Sequence, residues 1–187
     1  MSTITGSLAL DVDLHYHGLR TSVTVGPLLR ASLWRGGTFV KYVTSSEGDF
    51  VVERSDGNLV CGFLLFPSEN YAYTPPYGTG VGSDQNWTSY QPATGTGGQN
   101  VMTMIIDGVR AFFRVFETVA LVGGVRAGGP ITYSLMNPLF ISENGLLCND
   151  SILELALAGV LTPNRVGIVS AVPSPRNDHR LGADIRL

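Results

Sequence analysis

The sequence predicts an all-β fold, a β-sandwich or β-barrel with long loops and at most one short helix. Three observations point there: runs of β-branched and aromatic residues are short and numerous, 23 glycines and 10 prolines punctuate them, and two Asp-Gly dipeptides lie between such runs. Many short strands separated by turn residues are the pattern of sandwiches and barrels. With 44% hydrophobic residues in 187, the chain can bury a substantial core.

In chain order, the extended runs are Ser7 to Tyr16, Thr21 to Val25 and Thr38 to Val43. A hairpin is predicted next, with Asp49 to Glu53 and Asn58 to Phe66 flanking Asp56-Gly57. Asp-Gly accepts the positive φ angles of a two-residue turn between twisted strands. The same signal predicts a second hairpin, Val101 to Ile106 and Val109 to Phe116 around Asp107-Gly108. Further strands are expected at Thr118 to Val122, Ile131 to Leu135, Val166 to Val172 and Ala183 to Leu187. Asn149-Asp150-Ser151 can cap a short helix through Ile152, Leu153, Leu155 and Ala156 before Gly159, because their side-chain oxygens accept orphan amide hydrogens. A strand is the alternative at that position. The glycine pairs after Val122 suggest a division into an N-terminal β region, residues 1–117, and a C-terminal barrel-like region, 118–187, or else one compact domain.

Between Pro67 and Asn100 the chain is dominated by Gly, Thr, Ser, Pro and Asn, yet it carries Tyr71, Tyr73, Tyr77, Trp87 and Tyr90. Disordered segments are normally poor in aromatics, whereas Tyr and Trp bring large contact areas with few rotatable bonds. The segment is read as a long excursion ordering against a partner or a symmetry mate, the alternative being a loop packed on its own domain.

Charged residues make up only 14%, and Lys41 is the single lysine beside eleven arginines. Interfaces are depleted in lysine and enriched in arginine, so the balance fits a subunit covered by neighbours, as well as a plain compositional bias. A net charge of -3 and a pI near 5.5 supply no concentrated basic field for phosphates, so no nucleic-acid partner is expected. The N-terminal residues lack a basic region followed by an apolar block, and no run of 18 apolar residues occurs, so neither an export signal nor a membrane span is expected. Cys61 and Cys148 stand alone without metal or redox spacing and read as small buried hydrophobes.

Phosphate-cradling, zinc-helix and nucleophile-elbow motifs are all absent. The run Gly78-Thr79-Gly80-Val81-Gly82 fails the spacing of a dinucleotide fingerprint. No enzyme, cofactor or metal is therefore predicted. The one metal-like pattern is Asp11, Asp13, His15 and His17, which strand alternation places opposite Val12, Leu14 and Tyr16. Along a strand these four positions spread over about 20 Å, so only neighbouring pairs could share an ion, and a polar outer face is the reading adopted. On the second predicted hairpin, alternation sets Arg110, Phe112, Arg114 and Phe116 against Val109, Ala111, Phe113 and Val115. The latter set is a core face; the former mixes arginine with aromatics, as sheet-mediated interfaces do. Arg176, His179 and Arg180 cluster in a polar turn and can hold a neighbour's carboxylate or simply face solvent.

Several stretches carry a resemblance. Arg126-Ala-Gly-Gly-Pro-Ile-Thr-Tyr133, Phe140-Ile-Ser-Glu-Asn-Gly-Leu-Leu-Cys-Asn-Asp150, Val166-Gly-Ile-Val-Ser-Ala-Val172 and Leu181-Gly-Ala-Asp-Ile-Arg-Leu187 resemble the β-barrel unit of tailed-bacteriophage capsid decoration (cement) proteins. Gly62-Phe-Leu-Leu-Phe-Pro-Ser-Glu69 and Val115-Phe-Glu-Thr118 are similar to what precedes that unit. The likeness covers about half the chain. It implies a β-tulip-like barrel and a homo-oligomer, often a trimer, on the outer capsid surface of the virion. There it would clamp adjoining copies of the major capsid protein. Read from the residues themselves and not from the likeness, the interface candidates are Tyr71, Tyr73, Tyr77, Trp87, Tyr90, Arg110 and Arg114. The long excursion departs from compact members and leaves the occupied symmetry axis open. Competing readings are a head-fibre base or tail-associated subunit, and a carbohydrate-binding β module stacking sugars on the excursion's aromatics. A hydrolase is the weakest, because no nucleophile-base pair stands out.

Overall fold

A computed structural model describes residues 12–14, 19–30, 32, 34–65, 101–123 and 125–187. The described residues form a mostly β structure of two antiparallel sheets around a shared core. The strands are β1 (Val12–Leu14), β2 (Leu19–Thr24), β3 (Phe39–Thr44), β4 (Phe50–Arg54), β5 (Gly62–Leu64), β6 (Val101–Asp107), β7 (Val109–Phe113), β8 (Pro138–Ile141), β9 (Leu147–Cys148), β10 (Gly167–Ala171) and β11 (Leu181–Ile185). Two short helices accompany them, α1 (Pro27–Arg30) and α2 (Ile152–Leu157), with a 3-10 turn at Pro175–Asn177. The five-stranded sheet runs β2-β6-β5-β3-β4 and the six-stranded sheet β1-β7-β11-β10-β8-β9. An all-β sandwich or barrel is thus what the chain folds into.

Neither Asp-Gly dipeptide joins paired strands. Gly57 does take a positive φ of 87°, and Asp56 Oδ1 accepts from Asn58 N at 3.1 Å. The strands on either side, however, both pair with β3, which lies between them. The tight hairpin is β3–β4 instead, closed by Ser45 N donating to Asp49 O at 2.8 Å, with Gly48 at φ 88°. At Asp107-Gly108 the chain changes sheets: β6 is flanked by β2 and β5, and β7 by β1 and β11. Gly108, at φ 70°, is the single residue of that corner. An Asp-Gly pair specifies a sharp reversal, but which strands meet is decided by partners far away in sequence.

Thr118 to Val122 and Ile131 to Leu135 are not strands either. The first segment forms only isolated bridges, Val119 with Pro130 and Val122 with Val125. The second is irregular and buries Tyr133, whose hydroxyl donates to Glu117 O at 2.6 Å. α1 adds a second helix to the one anticipated. Pro27 at its first position is preset for helical φ, and the buried Glu53 carboxylate accepts from Leu28 N at 2.9 Å and Leu29 N at 2.5 Å. α2 forms where predicted, with Ser151 Oγ accepting from Glu154 N at 3.1 Å.

The five-stranded sheet curls until its margins meet. Val25, just past β2, makes a parallel bridge to Val52 of β4, and Gly26 N donates to Val52 O at 2.8 Å. Across the two sheets, Phe39 and Phe63 meet Phe113 with ring centroids 6.2 and 5.2 Å apart. Strands from either side of residue 118 are bonded together, since β11 pairs with β7, and one buried cluster runs from Val12 to Ile185. A smaller cluster of Leu121, Phe140, Cys148, Leu155 and Val160 seats α2.

Candidate functional site on the outer face of the six-stranded sheet

β7 alternates as its sequence suggested: Val109, Ala111 and Phe113 are buried, Arg110 is exposed and Phe112 half-buried. Facing away from the core, Arg110 lies opposite Asp184 of β11 in the register. The two form a bidentate pair, Nε to Oδ1 and an Nη to Oδ2, each at 2.6 Å. That hydrogen-bonded guanidinium holds the Asp184 carboxyl below the ordinary value of 3.8, against the upward push of partial burial. Phe112 rests its ring edge over Gly182, where an added Cβ would stand 3.1 Å from the ring.

Arg110 and Arg114 mark opposite ends of this face. At the first end, Arg165, Gly167, Ile168, Asp184 and Arg186 line a cleft of about 460 Å³. At the other, Arg114 and His179 border a cleft of about 610 Å³ whose floor includes Phe116 and Tyr133. Those two rings meet edge to face at 5.4 Å. Arg114 reaches Asp178 at 2.6 Å, and Arg180 reaches the same carboxylate at 3.5 Å. Asp178 and His179 both take left-handed backbone angles, with φ 56° at each. Non-glycine residues adopt that region at a cost, and the turn thereby presents both side chains outward. Among the described side chains, five arginines and two aspartates stand about this face, and Asp13 of β1 takes the register position opposite Phe112.

Arg165, Asp184 and Arg186 were not singled out from sequence. Asp184 and Arg186 do stand two apart on a strand-like run, which puts them on one face, but their link to Arg110 spans 74 residues. Tyr71, Tyr73, Tyr77, Trp87 and Tyr90 lie outside the described residues, as do Asp11, His15 and His17. Val12 and Leu14 do turn inward, Val12 fully buried and Leu14 packed on the core. Among the described residues no three His, Cys, Asp or Glu side chains are placed to hold a metal ion. Burial pushes the Cys148 thiol up to about 12 and the Cys61 thiol up to about 11, which leaves neither ionised as a nucleophile near neutral pH. Among the described residues no helix is long and apolar enough to cross a membrane.

Beneath the smaller core cluster, a second polar group is turned inward. Arg126, with only 14% of its side chain exposed, approaches Glu117 at 3.5 Å, Asp150 at 3.6 Å and Glu143 at 3.7 Å. Glu117 also accepts from Ser142 Oγ at 2.5 Å and Asn144 Nδ2 at 3.1 Å. This network ties the segment 117–126 to the β8–β9 hairpin and to the start of α2, and its chemistry is that of a structural clasp. The chain was compared with protein-family models, curated proteins and solved structures, and none of them matches it.

Proposed function

We propose that this chain is a structural subunit that acts through an extended contact surface. In this reading it binds the outside of a phage head as a homo-oligomer and stabilises contacts between major capsid proteins. The observation that carries the reading is the arginine-bearing outer face of the six-stranded sheet, with an aromatic-floored cleft at one end. Arginine forks beside apolar ground are what a carboxylate-bearing protein surface can engage. The resemblance of the C-terminal stretches to decoration proteins supplies the identity of that surface. A clamp of this kind stabilises a shell by mass action, because it binds the assembled lattice better than free subunits. Repetition of a modest contact around a symmetry axis supplies the avidity.

The test is attachment to purified, genome-filled heads. The protein is expected to co-purify with them at a fixed ratio to the major capsid protein. The double substitution Arg110→Glu and Arg114→Glu is expected to lower rebinding to stripped heads by at least about tenfold, since reversing rim charges opposes encounter as well as contact. A wild-type chain that ignores heads altogether, or binds them without a fixed ratio, would overturn the reading.

A further inference from the structure

Helix α2 holds one charged residue, the partly buried Glu154, and is otherwise apolar on its inner and its outer side. Its inner side is Leu155, fully buried against Phe140, Cys148 and Val160. At 100° per residue, Ile152, Leu153, Ala156 and Leu157 fall together in an arc of about 140° that excludes Leu155. All four are exposed, and none is charged. A surface helix ordinarily turns charged or polar residues outward, and a helix apolar all round belongs in an interior.

The apolar ground continues past the helix. Val160 is buried, but the next residue, Leu161, is exposed. Thr162 N donates to Asn58 Oδ1 at 3.1 Å and Asn164 Nδ2 to Asn58 O at 3.1 Å, which pins the segment after α2 to the 56–59 turn. Leu59 and Leu161 therefore flank one hydrogen-bonded junction. Ile152, Leu153, Leu157, Leu161 and Leu59 are between 55% and 80% exposed.

From this geometry we infer that the α2 face is the contact surface for a second copy of this chain. Two arguments select that occupant. The first is charge: the exposed members are all neutral and the one charged residue of α2, Glu154, is partly buried at the margin of the arc, so two copies of the face meet with little repulsion. The second is area. At roughly 100 Å² per side chain, the five large residues present on the order of 500 Å², the size of the largest patch on an ordinary monomer. Covering it on two copies removes on the order of 1,000 Å² from water, the threshold for a specific interface. This contact deepens the homo-oligomeric part of the proposed function and rests on it. It assigns self-association to residues over the β8–β9 end of the six-stranded sheet, apart from the arginines around β7 and β11 that would meet the capsid.

Sedimentation velocity of the full chain in the absence of capsids tests it, so that its failure and a failure of head binding are read separately. Over roughly 1 to 100 µM the wild type is expected to sediment as an oligomer. The double variant Leu153→Glu with Leu157→Glu, altered only at exposed positions, is expected to keep the wild-type circular dichroism and melting temperature. Its self-association should weaken by at least about 100-fold. Because the contact is apolar, the wild-type oligomer should persist when salt is raised. A wild type that is monomeric throughout, a folded variant that keeps the oligomer, or an oligomer that salt disperses would each overturn the assignment.

Discussion

Asp150 and Asp184 show how differently two carboxylates can be held in one small protein. Asp184 lies beside an arginine fork on an open face, and its pKa is lowered first by that hydrogen bond. Asp150 has a side chain only 8% exposed, and its Oδ2 makes no hydrogen bond. Burial raises its pKa above 3.8; Arg126 opposes the shift, while Glu117 and Glu154 add to it. The signs follow from linkage. A lowered folded value contributes stability that is present above the unfolded value and is lost as pH falls through the folded one. A raised folded value does the reverse: its contribution is full below the unfolded value and disappears as pH rises through the folded one. Asp150→Asn is therefore expected to be at least as stable as wild type at pH 7, with the difference vanishing toward pH 3, measured by urea melts at both. A variant clearly weaker at pH 7 would mean that the Arg126 pairing outweighs the burial. Legibility at this scale divides by distance along the chain. Ser151 could be read as a cap because its partner is three residues away, whereas the Arg110–Asp184 pair is visible only once β7 and β11 are side by side.

Among the elements, the glycines at corners and crossings decide how the sheets are joined. Gly108 needs its positive φ of 70°, yet a Cβ there would meet nothing within 4 Å. Gly62 is the opposite case, since a Cβ would collide with the Ile105 carbonyl of the neighbouring strand β6 and stand 2.7 Å from the Met104 side chain. Gly108→Ala is expected to cost about 1 kcal/mol, the strain of the left-handed region alone. Gly62→Ala should cost about 3 kcal/mol or more, because strands β5 and β6 must separate. Chemical denaturation of the two variants checks the order, and equal costs would contradict it. The strand runs themselves were legible from β-branched content, as at Thr21 to Val25 and Val166 to Val172. Strand partners were not, because a turn dipeptide carries no information about the third strand that enters between its arms, as β3 does between β4 and β5. Thr118 to Val122 reads as a strand for the same composition, but it finds only isolated bridges, and Leu121 is spent on the small core cluster instead.

For the whole molecule, the interleaving of early and late strands sets the cooperativity. β7 lies between β1 and β11, and the rings of Phe39, Phe63 and Phe113 knit the two sheets at one place. Separating residues 1–117 from 118–187 would tear β7 from β11, so a single unfolding transition is expected, with calorimetric and van't Hoff enthalpies in agreement. Two resolved transitions would instead mean that the halves melt independently. Fold class was legible here from punctuation and composition, while the pairing of β7 with β11 across residue 118 was not, because those two strands lie far apart in sequence.

The bridge from Val25 to Val52 has one more consequence. By using up hydrogen-bonding groups on both outermost strands of the curled sheet, it withdraws that stretch of backbone from any outside peptide seeking to extend the ladder. Strand addition at that stretch of β4 is thereby disfavoured.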